Sequence, residues 1–153
     1  MRKVIQTLSY IVKDRKVLLG YKKIGFGQGR WNGFGGKVEA GEEIVAGATR
    51  ELKEECGVTQ KHLTAFGKLE FKFVDKPDEI LETYLFRAEE FSGEPQESNE
   101  MRPEWFSFAD VPYDQMWDDD QYWFSQLLAG KKVNGSFLFD EHDKVIEKEI
   151  NFI

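Results

Sequence analysis

Six glycines, Gly25, Gly27, Gly29, Gly33, Gly35 and Gly36, fall within twelve residues, just ahead of a segment that reads as a helix from Ile44 to Cys56. Glycine at this density marks a loop whose backbone bends tightly or lets another group approach closely. The helix is ended by Gly57, a natural C-cap. Strands must flank such a loop–helix unit. Val4 to Val12 and Lys16 to Lys23 are apolar-rich, join at Lys13–Arg15 and read as strands. Leu69 to Val74 and Ile80 to Phe86 read as two more, separated by a turn containing Pro77. Glu104 to Phe108 adds another strand, and Val133 to Phe139 with Lys144 to Phe152 forms a final hairpin. Asp118 to Leu128 reads as a second helix, with Gly130 beyond its end. Many strands and two helices in 153 residues, with no repeat or linker, predict one α+β domain over residues 1–153.

Composition narrows the function classes. At 41 % hydrophobic and 14 % aromatic the chain can bury a core. No stretch approaches the length of a membrane span, and the N-terminus lacks the pattern of a signal peptide. A single cysteine, Cys56, excludes an internal disulfide framework and suits a reducing compartment, so a cytoplasmic location is expected. The net charge of −7 argues against tight binding of a nucleic acid polymer. Charge is uneven, however. Between Lys13 and Lys37 there are seven basic residues and one acid, Asp14. Such a segment fits either a solvated strand edge or a site for a small polyanion.

At about 100° per residue, Glu51, Glu54 and Glu55 share one sector of the Ile44–Cys56 helix. Val45, Ala48, Leu52 and Cys56 occupy the adjacent sector, the natural core face. Three carboxylates at this spacing repel one another by about 0.2–0.5 kcal/mol per exposed pair. A divalent cation would relieve that repulsion, and Mg²⁺ takes carboxylate and phosphate oxygens. Periodicity alone fits a metal site and a solvated acidic face equally well.

The stretch GKVEAGEEIVAGATRELKEECGV, Gly36 to Val58, carries Gly36, Glu42, Arg50, Glu51, Leu52, Glu54, Glu55, Gly57 and Val58 at the spacing G-x5-E-x7-R-E-U-x-E-E-x-G-U, where U is apolar. It resembles the Nudix box at every defined position. Three further segments, KKIGFGQGRWNGFGGKVEAGE (Lys22–Glu42), ESNEMRPEWF (Glu97–Phe106) and MWDDDQYWF (Met116–Phe124), extend the resemblance over nearly the whole chain. They are similar to the branch of the Nudix family that contains the animal-type MutT homologues, which hydrolyse oxidised purine nucleoside triphosphates. The resemblance implies the Nudix fold, an α/β/α sandwich with a mixed central sheet. It implies Mg²⁺-dependent hydrolysis, with Mn²⁺ able to substitute, of 8-oxo-dGTP or 2-oxo-dATP to a monophosphate and pyrophosphate by a monomer. Such a reaction would sanitise the nucleotide pool and protect DNA.

Residue by residue, the resemblance assigns Glu51, Glu54 and Glu55 to the metal, with one of the last two also helping to activate water. The carbonyl of Gly35 and the side chain of Glu100 are further ligands by the same carry-over. Arg50 and Glu42 would orient the carboxylates through an ion pair. Thr7, Lys22, Phe26, Asn32, Phe71, Met101, Trp117, Asp119 and Asp120 match substrate-contacting positions. Among them Trp117 is the stacking ring, Asn32, Asp119 and Asp120 the polar base contacts, and Phe26, Phe71 and Met101 the apolar walls. Lys23 would add only to the local field. The chain departs from the family's usual pattern at Asp118, where proline is common. The Pro77 turn is one residue longer, and Leu81 or Ile80 replaces a pocket methionine.

Alternative readings are a Nudix hydrolase for ADP-ribose or a dinucleoside polyphosphate, and a non-catalytic nucleotide-binding module. Modules of the latter kind typically lose box carboxylates, and all three are present here. Cys56 reads as a buried spectator. His62 and His142 stand apart from any nucleophile and receive no role.

Overall fold

The computed structural model describes residues 1–153. Its strands are β1 (Arg2–Lys13), β2 (Lys16–Lys22), β3 (Trp31–Asn32), β4 (Thr59–Gln60), β5 (Thr64–Phe73), β6 (Lys76–Ala88), β7 (Phe91–Ser92), β8 (Met101–Ser107), β9 (Val133–Phe139) and β10 (Val145–Phe152). The helices are α1 (Ile44–Cys56) and α2 (Asp120–Leu128). Eight strands form one sheet in the order β10-β9-β5-β6-β1-β2-β3, with β8 also paired to β2. The sheet is mixed, because β1–β6 and β5–β9 run parallel while the other pairs are antiparallel. Strands β4 and β7 make a separate two-stranded ribbon.

Alternation along β1 explains the layering. Tyr10 and Val12 point to the face covered by α2 and pack with Trp123, Phe124 and Leu127. Ile11 points to the opposite face and packs with Ala48, Leu52 and Cys56 of α1. Each fully buried aliphatic or aromatic side chain contributes about 1.5–3 kcal/mol by leaving water. Seating both helices therefore rests on one strand's period-2 pattern. The β1–β2 hairpin turns through Asp14 and Arg15, whose φ values of 52° and 60° match the right-handed twist of the flanking strands. No helix is long and apolar enough to cross a membrane.

Several expected boundaries move. Pro77 lies inside β6, not in the turn, which is formed by Val74 and Asp75. Pairing jumps from Lys72↔Ile80 to Phe73↔Lys76, so Pro77 falls in a bulge where its missing N–H removes no β5–β6 ladder bond. Strand β8 begins at Met101, three residues before the expected Glu104, because its whole length pairs with β2 from Lys22 back to Lys16. Helix α2 begins at Asp120. The preceding Asp118 carboxylate is drawn outward to the Val145 N–H at 2.9 Å and to Gln121 Nε2 at 2.9 Å. Val45, expected on the core face of α1, is 51 % exposed; the buried side of the helix carries Gly47, Ala48, Leu52, Glu55 and Cys56 instead.

Candidate active site

The glycine loop and α1 meet across β1. Gly25, Gly27 and Gly29 take φ values of 81°, 83° and 86°, a conformation open to glycine but costly to other residues. Further on, the chain runs against β1, where the Thr7 N–H donates to Gly36 O at 3.0 Å. A Cβ at Gly35 would overlap the Thr7 carbonyl, so the loop reaches this depth only with glycine there. Held so, the Gly35 N–H donates to Glu55 Oε1 at 2.7 Å. The Gly35 carbonyl accepts no backbone hydrogen bond.

The three box glutamates occupy three different environments. Glu55 is buried at 3 % exposure. Burial pushes its carboxyl up to about 8, against the pull of the Gly35 N–H and the Lys22 charge, with Glu51 and Glu100 adding repulsion. Glu51 is half-buried, and desolvation raises it too, although Arg50 opposes the shift. Glu54 is exposed. Arg50 stands among them. Its Nε and Nη2 hold Glu42 at 2.8 and 3.0 Å, and its Nη1 reaches Glu51 Oε1 at 2.9 Å and Glu54 Oε2 at 3.3 Å. The side-chain bonds from Arg50, followed by the Glu39 N–H, hold Glu42 down at about 2.

The carboxylates do not converge as a ready cage; no three acids stand close enough to hold an ion as placed. Their chemistry nonetheless fits a hard cation. Two of them are raised by burial, and the nearby Gly35 carbonyl is unengaged, so positive charge arriving here would relieve an existing deficit. Glu100 lies on the rim, 3.5 Å from Lys22 Nζ. Lys23 turns away to Glu97 and to the Ser98 carbonyl at 2.7 Å.

Beside the acids opens a cleft of about 510 Å³. Its lining includes all nine residues assigned to substrate: Thr7, Lys22, Phe26, Asn32, Phe71, Met101, Trp117, Asp119 and Asp120. Gly35 and Glu55 line it as well, whereas Arg50, Glu51, Glu54 and Glu100 lie outside its wall. Leu81, not Ile80, faces the cleft. Neither histidine lines it, and Cys56 is buried in the α1 layer with its thiol pushed up to about 11 by burial.

The start of α2 presents two adjacent buried acids to the same cleft. Asp119 Oδ2 accepts the Trp123 Nε1–H at 2.8 Å. Asp120 makes no side-chain hydrogen bond of this kind, and its carboxyl is raised strongly by burial and by the charge of Asp119. Asp119 is raised as well, chiefly by burial. Asn32 Oδ1 accepts the Gly33 N–H at 2.8 Å, which leaves its NH₂ as the end available to a ligand.

Trp117 is already engaged. Phe26 stacks on it at 5.0 Å between ring centroids, and the Arg30 guanidinium lies over the ring at 4.2 Å. Arg30 is fixed from behind by Asp143 at 3.0 Å. Phe26 is 59 % exposed and sits between two positive-φ glycines, so it is the member of this stack free to give way. Leu8, Phe73, Phe139, Lys76 and Asp143 also line the cleft and escaped the sequence reading. Phe73 carried a signal, being two residues beyond Phe71 on the same strand face. Phe139 carried none, because its place depends on the β5–β9 pairing.

The family model described as NUDIX domain matches residues 5–127. The chain is 46 % identical over 145 residues to the oxidized purine nucleoside triphosphate hydrolase of Danio rerio, covering 95 % of this chain and 92 % of that protein. It is 46 % identical over 142 residues to the protein of the same name from Mus musculus, covering 93 % and 90 %. Among solved structures, a MutT protein from Bacillus halodurans superposes with a TM-score of 0.86 at 27 % identity, covering 97 % of each chain.

Proposed function

The chain belongs to the Nudix family of hydrolases, and on that footing we propose that it hydrolyses oxidised purine nucleoside triphosphates, such as 8-oxo-dGTP and 2-oxo-dATP, to the monophosphate and pyrophosphate. Residues 1–153 act as one Nudix domain, as a monomer in the cytoplasm. What supports the substrate is the continuity of the cleft. One hollow joins the Asn32, Asp119 and Asp120 cluster, suited to a purine edge, to Gly35, Glu55 and Lys22, suited to phosphates.

Members of the family use a divalent metal. We take it here to be Mg²⁺, with Mn²⁺ as a substitute, held by Glu51, Glu54, Glu55, the Gly35 carbonyl and Glu100. When bound, it would neutralise charge on the pyrophosphate and acidify bound water. The chain's own residues do the rest. Lys22 places a positive charge at the phosphate end. Arg50, clamped by Glu42, orients Glu51 and Glu54. Glu54 or Glu55 takes the proton from the attacking water. Phe71, Met101 and Leu81 exclude solvent around the base.

The test is a panel of nucleotides. With Mg²⁺ present, kcat/KM for 8-oxo-dGTP and 2-oxo-dATP should exceed that for dGTP and dATP, with pyrophosphate released. Equal use of normal and oxidised purines, or preference for ADP-ribose, would overturn the substrate assignment. In ¹⁸O-labelled water the label should enter pyrophosphate, as attack at the β-phosphorus requires.

A further inference from the structure

Arg30, one of the seven basic residues between Lys13 and Lys37, has no part in the reading above. Its guanidinium carbon lies over the Trp117 ring, 4.2 Å from the centroid. Trp117 lines the cleft, whereas Arg30 does not. Arg30 lines a second hollow of about 430 Å³ together with Met116, Asp118, Gln121 and Asp143. It therefore bears on the indole from outside the cleft, while Phe26, which lines the cleft, stacks on the indole from within.

The arginine is held at three points. Its Nη2 pairs with Asp143 at 3.0 Å. Its carbonyl accepts the Lys22 N–H at 3.0 Å, and its own N–H donates to Gly27 O at 3.2 Å. The anchor is fixed in turn. Asp143 belongs to the β9–β10 turn, which Asp140 closes by accepting the N–H groups of His142 at 2.8 Å and Lys144 at 3.0 Å. The side chains of Arg30 and Asp143 are 31 % and 36 % exposed, and an ion pair so placed adds little to stability. Its effect is on position.

No other neighbour of the indole supplies the same support. Phe73 and Phe139 meet it edge-on, at 74° and 71°. Phe26 covers the ring, but it must leave before a purine can stack in its place. Arg30 is then the group left over the ring. A planar guanidinium stacks on an aromatic face, as an ammonium does not, and the ring's charge distribution attracts it. An indole held in one plane before the ligand arrives loses less freedom on binding.

We propose that Arg30, anchored by Asp143, is a positioning residue for base binding: it backs the Trp117 indole and keeps its plane in place for a purine once Phe26 yields. This deepens the base-end reading above and rests on it. Arg30 acts through Trp117 and does not touch the nucleotide.

The experiment compares the wild type with Arg30→Ala and Arg30→Lys, each also in a Trp117→Leu background; thermal melting checks the fold. Binding of 8-oxo-dGMP and of dGMP is measured by calorimetry. Relaxation of the Trp117 indole ¹⁵N reports the mobility of the ring without ligand. Arg30→Ala should raise Kd and KM about 3- to 30-fold, with kcat within about twofold. The indole should become more mobile in the same variant. Arg30→Lys keeps the charge that pairs with Asp143 but not the plane, and should recover less than about half of the loss. In the Trp117→Leu background, Arg30→Ala should change Kd by less than about twofold, because the interaction it removes is already gone. An equal loss in both backgrounds overturns the proposal. So does a fall in kcat at unchanged KM, full recovery by Arg30→Lys, or an indole as rigid in Arg30→Ala as in the wild type. If the wild type does not prefer oxidised purines, the proposed function falls, and the indole relaxation with the dGMP binding cycle still decides the role of Arg30.

Discussion

The backbone N–H of Gly35 donates to Glu55 Oε1 at 2.7 Å, tying the glycine loop to the last turn of α1. The bond exists because Gly35 has no side chain to collide with Thr7. Gly35→Ala must push the loop off β1, at a cost of about 1–3 kcal/mol for overpacking. It should lower Tm by several degrees and kcat/KM by about 100-fold or more, since catalytic groups displaced by an ångström lose that much. Gly41→Ala, in open space on the same connection but also at positive φ, gives the comparison for backbone strain alone. Scanning calorimetry and steady-state kinetics check both.

Burial of Glu55 predicts a pH dependence of stability without metal. In the fold its carboxyl titrates at about 8, against 4.5 for an ordinary glutamate. Between those values the folded chain binds more protons than the unfolded one. Stability contributed by this group is therefore lost as pH rises from about 4.5 to about 8. In EDTA the wild type should melt several degrees lower at pH 8.5 than at pH 6. Glu55→Gln should flatten that slope and abolish turnover. Mg²⁺ should restore the melting temperature of the wild type but not of the variant. An equal slope in both proteins would remove Glu55 as its source.

Glu42 touches Arg50 through two bonds and is not itself assigned to the metal. Glu42→Gln keeps the shape and removes the charge. Arg50 should then be drawn further onto Glu51 and Glu54, competing with the cation. A loss of about 10- to 100-fold in activity is expected, with a higher Mg²⁺ concentration for half-saturation. Titrating the variant with Mg²⁺ separates the two effects: recovery at high Mg²⁺ identifies positioning, and no recovery points to a direct role in the chemistry.

Trp117→Ala removes the platform on which Phe26 now stacks. Aromatic stacking on a base is worth about 1–3 kcal/mol, so KM should rise about 5- to 150-fold with kcat nearly unchanged. Trp117→Phe should recover most of the loss. A fall in kcat at unaltered KM would place Trp117 outside the base site.

How far the site was legible depends on the distance over which each residue finds its partner. The box acids declare themselves because helix periodicity places residues three and four apart on one side. The difference between Glu55, buried, and Glu54, exposed, is invisible at that range, because it arises only when α1 is laid against β1. The two strands of the first hairpin were readable from apolar runs and a short junction. Strand β3 was not, since Trp31 and Asn32 look like more of the glycine loop until β2 lies alongside. Arg30, Phe73 and Phe139 around Trp117 come from three separate segments, and Pro77 predicts a turn because proline usually punctuates a strand.

The parallel pairing of β1 with β6 bears on how the protein is made. Every partnered pair in that ladder is 77 residues apart in the chain. Contacts between segments so distant close slowly, because the intervening chain must surrender its freedom first. On the ribosome, the first strand would wait for this neighbour until 77 further residues had been synthesised. The wall carrying Asp119 and Asp120 arrives later still. Until then, the face of β1 that carries Tyr10 and Val12 lacks the cover of α2, and that interval is when the nascent chain is most open to aggregation.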